Sequence, residues 1–129
     1  MTSHTTTLAS CYCGGTVIEL PHPPTEATQC TCSWCTKSGG LWAYYDPEAI
    51  TIIKAEHVGH YAPNTINEHY FCTNCGCTTH GIAPNWTMES LTTFEVPKDK
   101  KLAINVKILD DYDLMKSLPV QVIDGRNLW

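Results

Sequence analysis

The spacing of the cysteines constrains this chain more than any other feature of its sequence. There are eight cysteines, and each lies within three residues of another. They form the groups C-Y-C-G, C-T-C-S-W-C and C-T-N-C-G-C, with the cysteines at Cys11, Cys13, Cys30, Cys32, Cys35, Cys72, Cys75 and Cys77. Groups this short bring several sulfurs to one turn, which favours a site for a metal ion.

A disulfide scaffold is the alternative explanation for an even number of cysteines. Disulfides stabilise most when they close long loops, so they are usually spread along a chain. The first ten residues contain neither a basic region nor an apolar run, so the sequence predicts no secretion signal. We therefore expect reduced thiols, a cytoplasmic location and bound zinc, although spacing alone does not separate zinc from an iron–sulfur cluster.

Composition limits the class of protein. A chain of 129 residues, 43% of them hydrophobic, is expected to fold as one globular domain over residues 1–129. The formal net charge is −5 with only 8 basic residues, so binding to nucleic acid is not expected, because that requires many phosphate contacts. No run approaches the roughly 20 apolar residues of a membrane span, so we expect no membrane partner.

The apolar segments are short and rich in β-branched and aromatic residues, and turn residues separate them. This pattern predicts a mainly β fold of antiparallel strands, with the cysteine groups on turns at strand ends. Only Asp110–Lys116 has a helical pattern, and Pro119 would end it. The predicted strands are Thr16–Leu20, Leu41–Tyr45, Ile50–Ile53, Glu68–Phe71, Ser90–Val96 and Leu102–Ile108.

Five motifs together resemble those of a known family. In order they read C-Y-C-G-G-T-V, C-T-C-S-W-C-T-K-S-G-G, L-W-A-Y-Y, H-Y-F-C-T-N-C-G and N-V-K-I-L-D-D. From about Ser10 to Asp111 the chain resembles the glutathione-dependent formaldehyde-activating enzyme family. The resemblance implies a β-tent fold like that of Mss4, with antiparallel sheets around two zinc sites.

The resemblance also implies roles for the cysteines and an activity. Cys11, Cys13, Cys72 and Cys75 would hold a structural zinc ion, and Cys30, Cys32 and Cys35 a catalytic zinc ion with an open position. The family activity joins or releases formaldehyde and glutathione through S-hydroxymethylglutathione, which is a carbon–sulfur lyase type of reaction. The expected substrate is therefore a small molecule, with glutathione as the thiol or a different substrate if the reaction has diverged.

Thr31, Cys77 and His80 depart from the family pattern, and the last two become candidates for catalysis. Cys77 is an additional thiol, and His80 stands where an aromatic residue is common. His80 is the first candidate for carrying a proton, because histidine titrates near neutral pH. Cys77 has three alternative roles: a fourth ligand closing the second zinc site, a free thiol lining the pocket, or a displaceable ligand.

Other residues near the motifs are weaker candidates. Tyr44, His69 and Tyr70 could carry protons, but packing in the core or at an interface is favoured for each. Trp34 and Trp42 could wall the pocket, although packing is the commoner role of an aromatic residue there. Two functions follow from the alternatives. One is a zinc-dependent lyase or a related enzyme, and the other is a protein-binding module with two closed four-cysteine sites. An exposed strand edge would allow the chain to form a homodimer.

Overall fold

Short strands dominate the computed structural model, which describes residues 6–64, 66–93 and 95–128. Within these residues there are ten strands and four short α-helices. The strands are β1 (Thr7–Ser10), β2 (Thr16–Leu20), β3 (Ala27–Cys30), β4 (Trp42–Tyr45), β5 (Thr51–Ala55), β6 (Val58–Tyr61), β7 (Glu68–Cys72), β8 (Thr78–Pro84), β9 (Lys100–Asn105) and β10 (Val120–Ile123). The α-helices are α1 (Ser33–Ser38), α2 (Met88–Thr93), α3 (Tyr112–Ser117) and α4 (Gly125–Leu128), and 3-10 turns span Pro47–Ala49 and Val106–Ile108.

The strands form two sheets. The smaller sheet has the antiparallel order β1-β2-β5, and the larger has the order β10-β3-β4-β9-β8-β7-β6. All neighbours in the larger sheet are antiparallel except β10, which runs parallel to β3. The predicted mainly β fold with antiparallel sheets is therefore confirmed, and the parallel pair is an addition that the sequence pattern did not indicate.

The hydrophobic core lies between the two sheets. Alternate residues of β2, among them Ile18 and Leu20, are buried and face the larger sheet. Ala43 and Ile104 are neighbours on β4 and β9 and supply the opposing layer of the same cluster. Because this face of the larger sheet is occupied by the core, its other face is left for a site.

Most predicted elements are found where the pattern placed them. Thr16–Leu20 is confirmed residue for residue, and the predicted helix over Asp110–Lys116 corresponds to α3. The last three residues of the segment Leu102–Ile108 form a 3-10 turn instead of a strand.

The strand predicted over Ser90–Val96 is wrong. The backbone there forms α2, because Thr87 and Ser90 cap its first turn. The Ser90 backbone N–H donates to Thr87 Oγ1 at 3.1 Å, and the Thr87 N–H donates to Ser90 Oγ at 2.7 Å. Residue 94 of the predicted segment lies outside the described residues. No helix within the described ranges has the length and apolar character needed to cross a membrane.

Candidate metal centres and active site

The first thiol cluster joins two distant parts of the chain. Cys11 and Cys13 follow β1, while Cys72 ends β7 and Cys75 lies in the next turn, and all four sulfurs lie within 4.8 Å of one another. The sulfurs of Cys11 and Cys13 are 3.7 Å apart, and those of Cys13 and Cys72 are 3.6 Å apart. A tetrahedron with zinc–sulfur bonds of roughly 2.3 Å has sulfurs about 3.8 Å apart, whereas a disulfide brings them to about 2.05 Å. The donor set and spacing therefore fit a closed zinc site.

Backbone N–H groups point at these sulfurs. The N–H of Thr16 donates to Cys11 Sγ at 3.3 Å, and the N–H of Cys75 donates to Cys72 Sγ at 3.4 Å. The N–H groups of Cys77 and Cys13 lower the pKa of Cys75 to about 5. Gly76 makes this turn possible at φ +81°, a left-handed conformation that glycine adopts without steric cost. Such donors stabilise thiolates, the form that binds a metal.

Cys77 lies beside the first cluster. Its thiol is close enough to Cys75 for a hydrogen bond. The Tyr12 backbone N–H favours its thiolate, but burial and the sulfur of Cys75 raise the pKa of Cys77 overall. Together with Cys11, Cys77 lines a surface groove bordered by Lys107–Asp110. The sequence analysis proposed Cys77 as a ligand or pocket thiol of the second cluster, but the structure does not place it there. Its chemical role stays a prediction.

The second cluster is formed within one short segment. Cys30 ends β3, Cys32 caps the N-terminus of α1, and Cys35 lies in the first turn of that helix. Their three sulfurs lie within 4.8 Å of one another, and the N–H of Cys35 donates to Cys32 Sγ at 3.4 Å. Burial raises the pKa values of Cys30 and Cys35, and the neighbouring sulfurs raise them further. Three thiols held together, two of them with raised pKa values, are a suitable site for a cation, which would stabilise the thiolates.

Trp42 packs beneath this segment. A Cβ placed on Gly40 would come within 2.4 Å of the Trp42 ring, so the indole lies directly against the backbone of the loop that follows α1. The indole also lies beside Cys35, where it favours the thiolate. Trp42 is only 5% exposed. The Trp42 indole therefore closes the second cluster on the side that faces the sheet.

Strand register places a groove on the face of the larger sheet that carries Cys30. Trp42 pairs with Thr28, which is two residues from Cys30, so these side chains share one face. The next row on that face runs from Tyr44 through Ala103 and Gly81 to His69. Two large side chains thus flank two small, partly exposed ones. Tyr44 and His69 are three strand spacings apart, roughly 14 Å between Cα atoms, so the floor of the groove suits a small molecule.

Aromatic stacking forms the far wall of the groove. Trp34, which belongs to the Cys32–Cys35 turn, stacks on His69 with 4.0 Å between ring centroids and on Tyr61 at 5.5 Å. The segment with the second cluster therefore crosses the sheet and contacts β7 and β6. Burial lowers the pKa of His69, and the nearby His60 lowers it further, so the imidazole is neutral at pH 7. Sequence reasoning had considered Trp34 as a wall and His69 as a weaker candidate.

Tyr44 and Lys101 form the wall of the groove opposite Trp34 and His69. Burial raises the pKa of Tyr44 to about 12, and the sulfurs of Cys35 and Cys30 contribute to the increase. Lys101 Nζ lies 4.2 Å from the centroid of the Tyr44 ring. Burial lowers the pKa of Lys101, whereas the Cys30 sulfur raises it. The sequence analysis missed Lys101, although strand alternation in K-K-L-A-I-N places it and Ala103 opposite the core residues Leu102 and Ile104.

His80 lies on the other face of the sheet. It pairs with Ile104 of the core, is only 4% exposed, and stacks on Tyr70 with ring centroids 4.6 Å apart. Its Nδ1 is 2.9 Å from the hydroxyl oxygen of Thr79, and burial lowers the pKa of His80 to about 4. The sheet thus separates His80 from the thiols of the second cluster, and the catalytic role suggested for it stays a prediction.

Comparisons with known proteins agree with this architecture. The crystal structure of a Rhodobacter sphaeroides protein is similar, with a TM-score of 0.63 and 24% sequence identity over 88% of this chain and 99% of that one. At this identity the likeness supports the fold alone. No curated protein matches the chain. The model of the glutathione-dependent formaldehyde-activating enzyme family matches residues 6–116, and the chain therefore belongs to that family.

Proposed function

We propose that this chain is a zinc-dependent enzyme that makes or breaks the carbon–sulfur bond in the adduct of a small thiol and an aldehyde. The observation that carries the proposal is the difference between the two thiol clusters. Four sulfurs lie together in the first cluster, whereas the second has three. The family description indicates formaldehyde as the aldehyde and glutathione as the thiol.

The two metal sites would then have different tasks. Cys11, Cys13, Cys72 and Cys75 would hold a structural zinc ion that ties β1 to β7. Cys30, Cys32 and Cys35 would hold the catalytic zinc ion. Zinc with three thiolate ligands and a free position can accept a sulfur or polarise an oxygen, which stabilises a leaving thiolate.

The protein's own side chains would handle the proton and the oxygen of the substrate. Tyr44 is protonated at neutral pH, and burial raises its pKa further to about 12, so its hydroxyl can donate a hydrogen bond to a bound substrate. His69 is neutral at pH 7, so it can accept a proton. Stacking on Trp34 fixes the orientation of the imidazole. We assign proton transfer to His69 in preference to His80 because only His69 lies on the face with the second cluster.

The reaction needs no oxidant or further reactant. In the breaking direction, His69 takes the proton of the adduct's hydroxyl group. The carbon–oxygen double bond forms and the carbon–sulfur bond breaks, so that the sulfur leaves with the electron pair. The proton then passes from His69 to the released thiolate, giving a thiol and an aldehyde.

A protein-binding module with two closed zinc sites is the alternative function. Closing the second site would require a fourth thiol, and the spare thiol, Cys77, lies at the first cluster. The geometry therefore favours the enzyme. The homodimer, the cytoplasmic location and the extent of the domain stay predictions.

X-ray absorption of the zinc-loaded protein tests the proposal directly. We expect an average of about 3.5 sulfur ligands per zinc, with an oxygen or nitrogen in the remaining position of one site. When Cys32 is changed to Ser the second zinc ion should be lost, so the average should rise to about four, and exchange between formaldehyde and a thiol adduct, followed by NMR, should stop. Four sulfurs on both zinc ions, with no lighter ligand, would contradict an open catalytic site.

A further inference from the structure

The C-terminal part of the chain lies against the segment that carries the second cluster. The family match ends at residue 116, and β10 and α4 lie beyond it. β10 runs parallel to β3 and places Ile123 opposite Cys30. Neither β10 nor α4 contains a residue assigned to metal binding or catalysis, yet both adjoin the proposed catalytic site.

Thr31, which lies between Cys30 and Cys32, is the point of attachment. Its backbone N–H donates to the Ile123 carbonyl oxygen at 3.1 Å, and its hydroxyl donates to the same oxygen at 3.3 Å. The Thr31 hydroxyl also accepts the backbone N–H of Arg126 at 3.2 Å. The Thr31 carbonyl oxygen accepts the Nε–H of Arg126 at 3.2 Å. Each hydrogen-bonding group of Thr31 therefore contacts residues 123–126.

The shape of this turn affects how well the second cluster can bind a metal. A single residue separates Cys30 from Cys32, so the backbone torsions of Thr31 control the relative direction of their Cα–Cβ bonds. Fixing the backbone of a flexible turn costs conformational entropy. When hydrogen bonds fix the turn before the metal binds, this cost no longer reduces the affinity for the metal.

We infer that residues 120–128 form a C-terminal clasp that holds the Cys30–Cys32 turn in its metal-binding shape, with Arg126 as a positioning residue. The inference rests on the proposed function, because it requires a metal ion at the second cluster. Coupling between two sites is reciprocal, so metal at this cluster should in turn stabilise the attachment of the clasp. Release of the clasp would lower metal loading at the second cluster and leave the first cluster unchanged.

Cobalt titration of the full chain against a competing chelator tests the role of Arg126. Gln places an N–H donor at the position of the arginine Nε without the charge, whereas Met has a similar length and no donor. Arg126→Met should weaken cobalt binding at the second cluster about five- to tenfold, and Arg126→Gln should retain most of the affinity. Lys37→Ala is the control, because it removes an exposed cation two residues from Cys35 and should change neither site.

Hydrogen exchange of backbone amides, followed by NMR, tests the reciprocal effect, which a merely structural contact would not show. Filling the second cluster of the wild-type protein with zinc should slow exchange at Arg126, Asn127 and Leu128 at least fivefold. In Cys32→Ser, zinc should fill the first cluster alone and leave exchange at these three residues unchanged.

The possible failures can be distinguished. The inference is overturned, while the open metal site stands, if two cobalt ions bind but Arg126→Met has the wild-type affinity or Arg126→Gln loses as much as Arg126→Met. Exchange at residues 126–128 that does not respond to the second zinc ion also overturns it. If the wild-type protein binds only one cobalt ion, both the proposed function and the inference fail.

Discussion

Replacing His80 by Asn should remove a specific part of the pH dependence of stability. Asn is chosen because it does not titrate and can keep a hydrogen bond to Thr79. His80 is buried, and its pKa in the folded protein is about 4. In the unfolded chain it should be near 6.5. Between these values the unfolded state binds the extra proton, so acidification favours unfolding and stability rises with pH.

The magnitude follows from the difference between the two pKa values. A shift of about 2.5 units corresponds to about 3 kcal/mol once the pH is below both, since each unit is worth about 1.4 kcal/mol. Between pH 7 and pH 5, the part that can be measured is about 2 kcal/mol. His80→Asn should lower the free energy of unfolding at pH 7, because stacking on Tyr70 is lost. The decrease of about 2 kcal/mol between pH 7 and pH 5 should be absent from the variant.

The assay is urea unfolding of the zinc-loaded protein at several pH values from 5 to 7. Metal release also depends on pH, but it contributes equally to the wild-type protein and the variant and cancels in their difference. Tyr70→Phe is the control, since it keeps the ring against His80 and should keep the wild-type slope. If His80→Asn has the same slope as the wild type, the histidine is not buried in its neutral form and the reasoning is refuted.

Three further changes separate structural from functional residues. Cys72→Ser should release zinc and unfold the chain, because structural zinc contributes about 10–16 kcal/mol, comparable to the whole stability of a domain. Cys32→Ser should stay folded with one zinc, as metal analysis and circular dichroism would report. If Cys32→Ser unfolds and Cys72→Ser stays folded, the two clusters have exchanged roles. His69→Asn should slow adduct exchange by about 10²–10⁴-fold, whereas His60→Asn should not, and equal rates in both would exclude His69 as the base. Ala103→Leu should weaken thiol binding at least tenfold by filling the groove, while changing the free energy of unfolding by only roughly 0.5 kcal/mol. Ala55→Leu, at an exposed position, serves as the control. If Ala103→Leu binds thiols as the wild type does, the substrate binds elsewhere.

The cysteine clusters could be predicted from the sequence because their geometry is local. A turn of two or three residues fixes which sulfurs lie together, as in the Cys30–Cys35 segment. The pairing of the first and third groups was implied by family resemblance, since it depends on where β1 and β7 meet. Cys77 could not be placed by spacing, because the positive φ of Gly76 redirects the chain after Cys75.

The residues of the groove could not be predicted because they depend on strand order. Tyr44, Ala103, Gly81 and His69 come from four strands, and their alignment follows from the order β4-β9-β8-β7. A shift of one residue in a strand exchanges its two faces. That difference separates His69, beside the groove, from its near neighbour Tyr70, which stacks on His80 on the core face. The irregularity between Tyr70 and Phe71 adds to the difficulty.

The two clusters also impose a sequence of events on a chain that is being synthesised. Cys30 and Cys35 can meet as soon as their short segment has left the ribosome, whereas Cys13 must wait for Cys72, 59 residues later. Closing the longer loop costs about 2 kcal/mol more entropy than closing the shorter one. Until then β1 and its hairpin have no attachment to β7, and two unsatisfied thiols are open to wrong metals or oxidants. The supply of zinc during translation should therefore affect the yield of folded protein more strongly than zinc added afterwards.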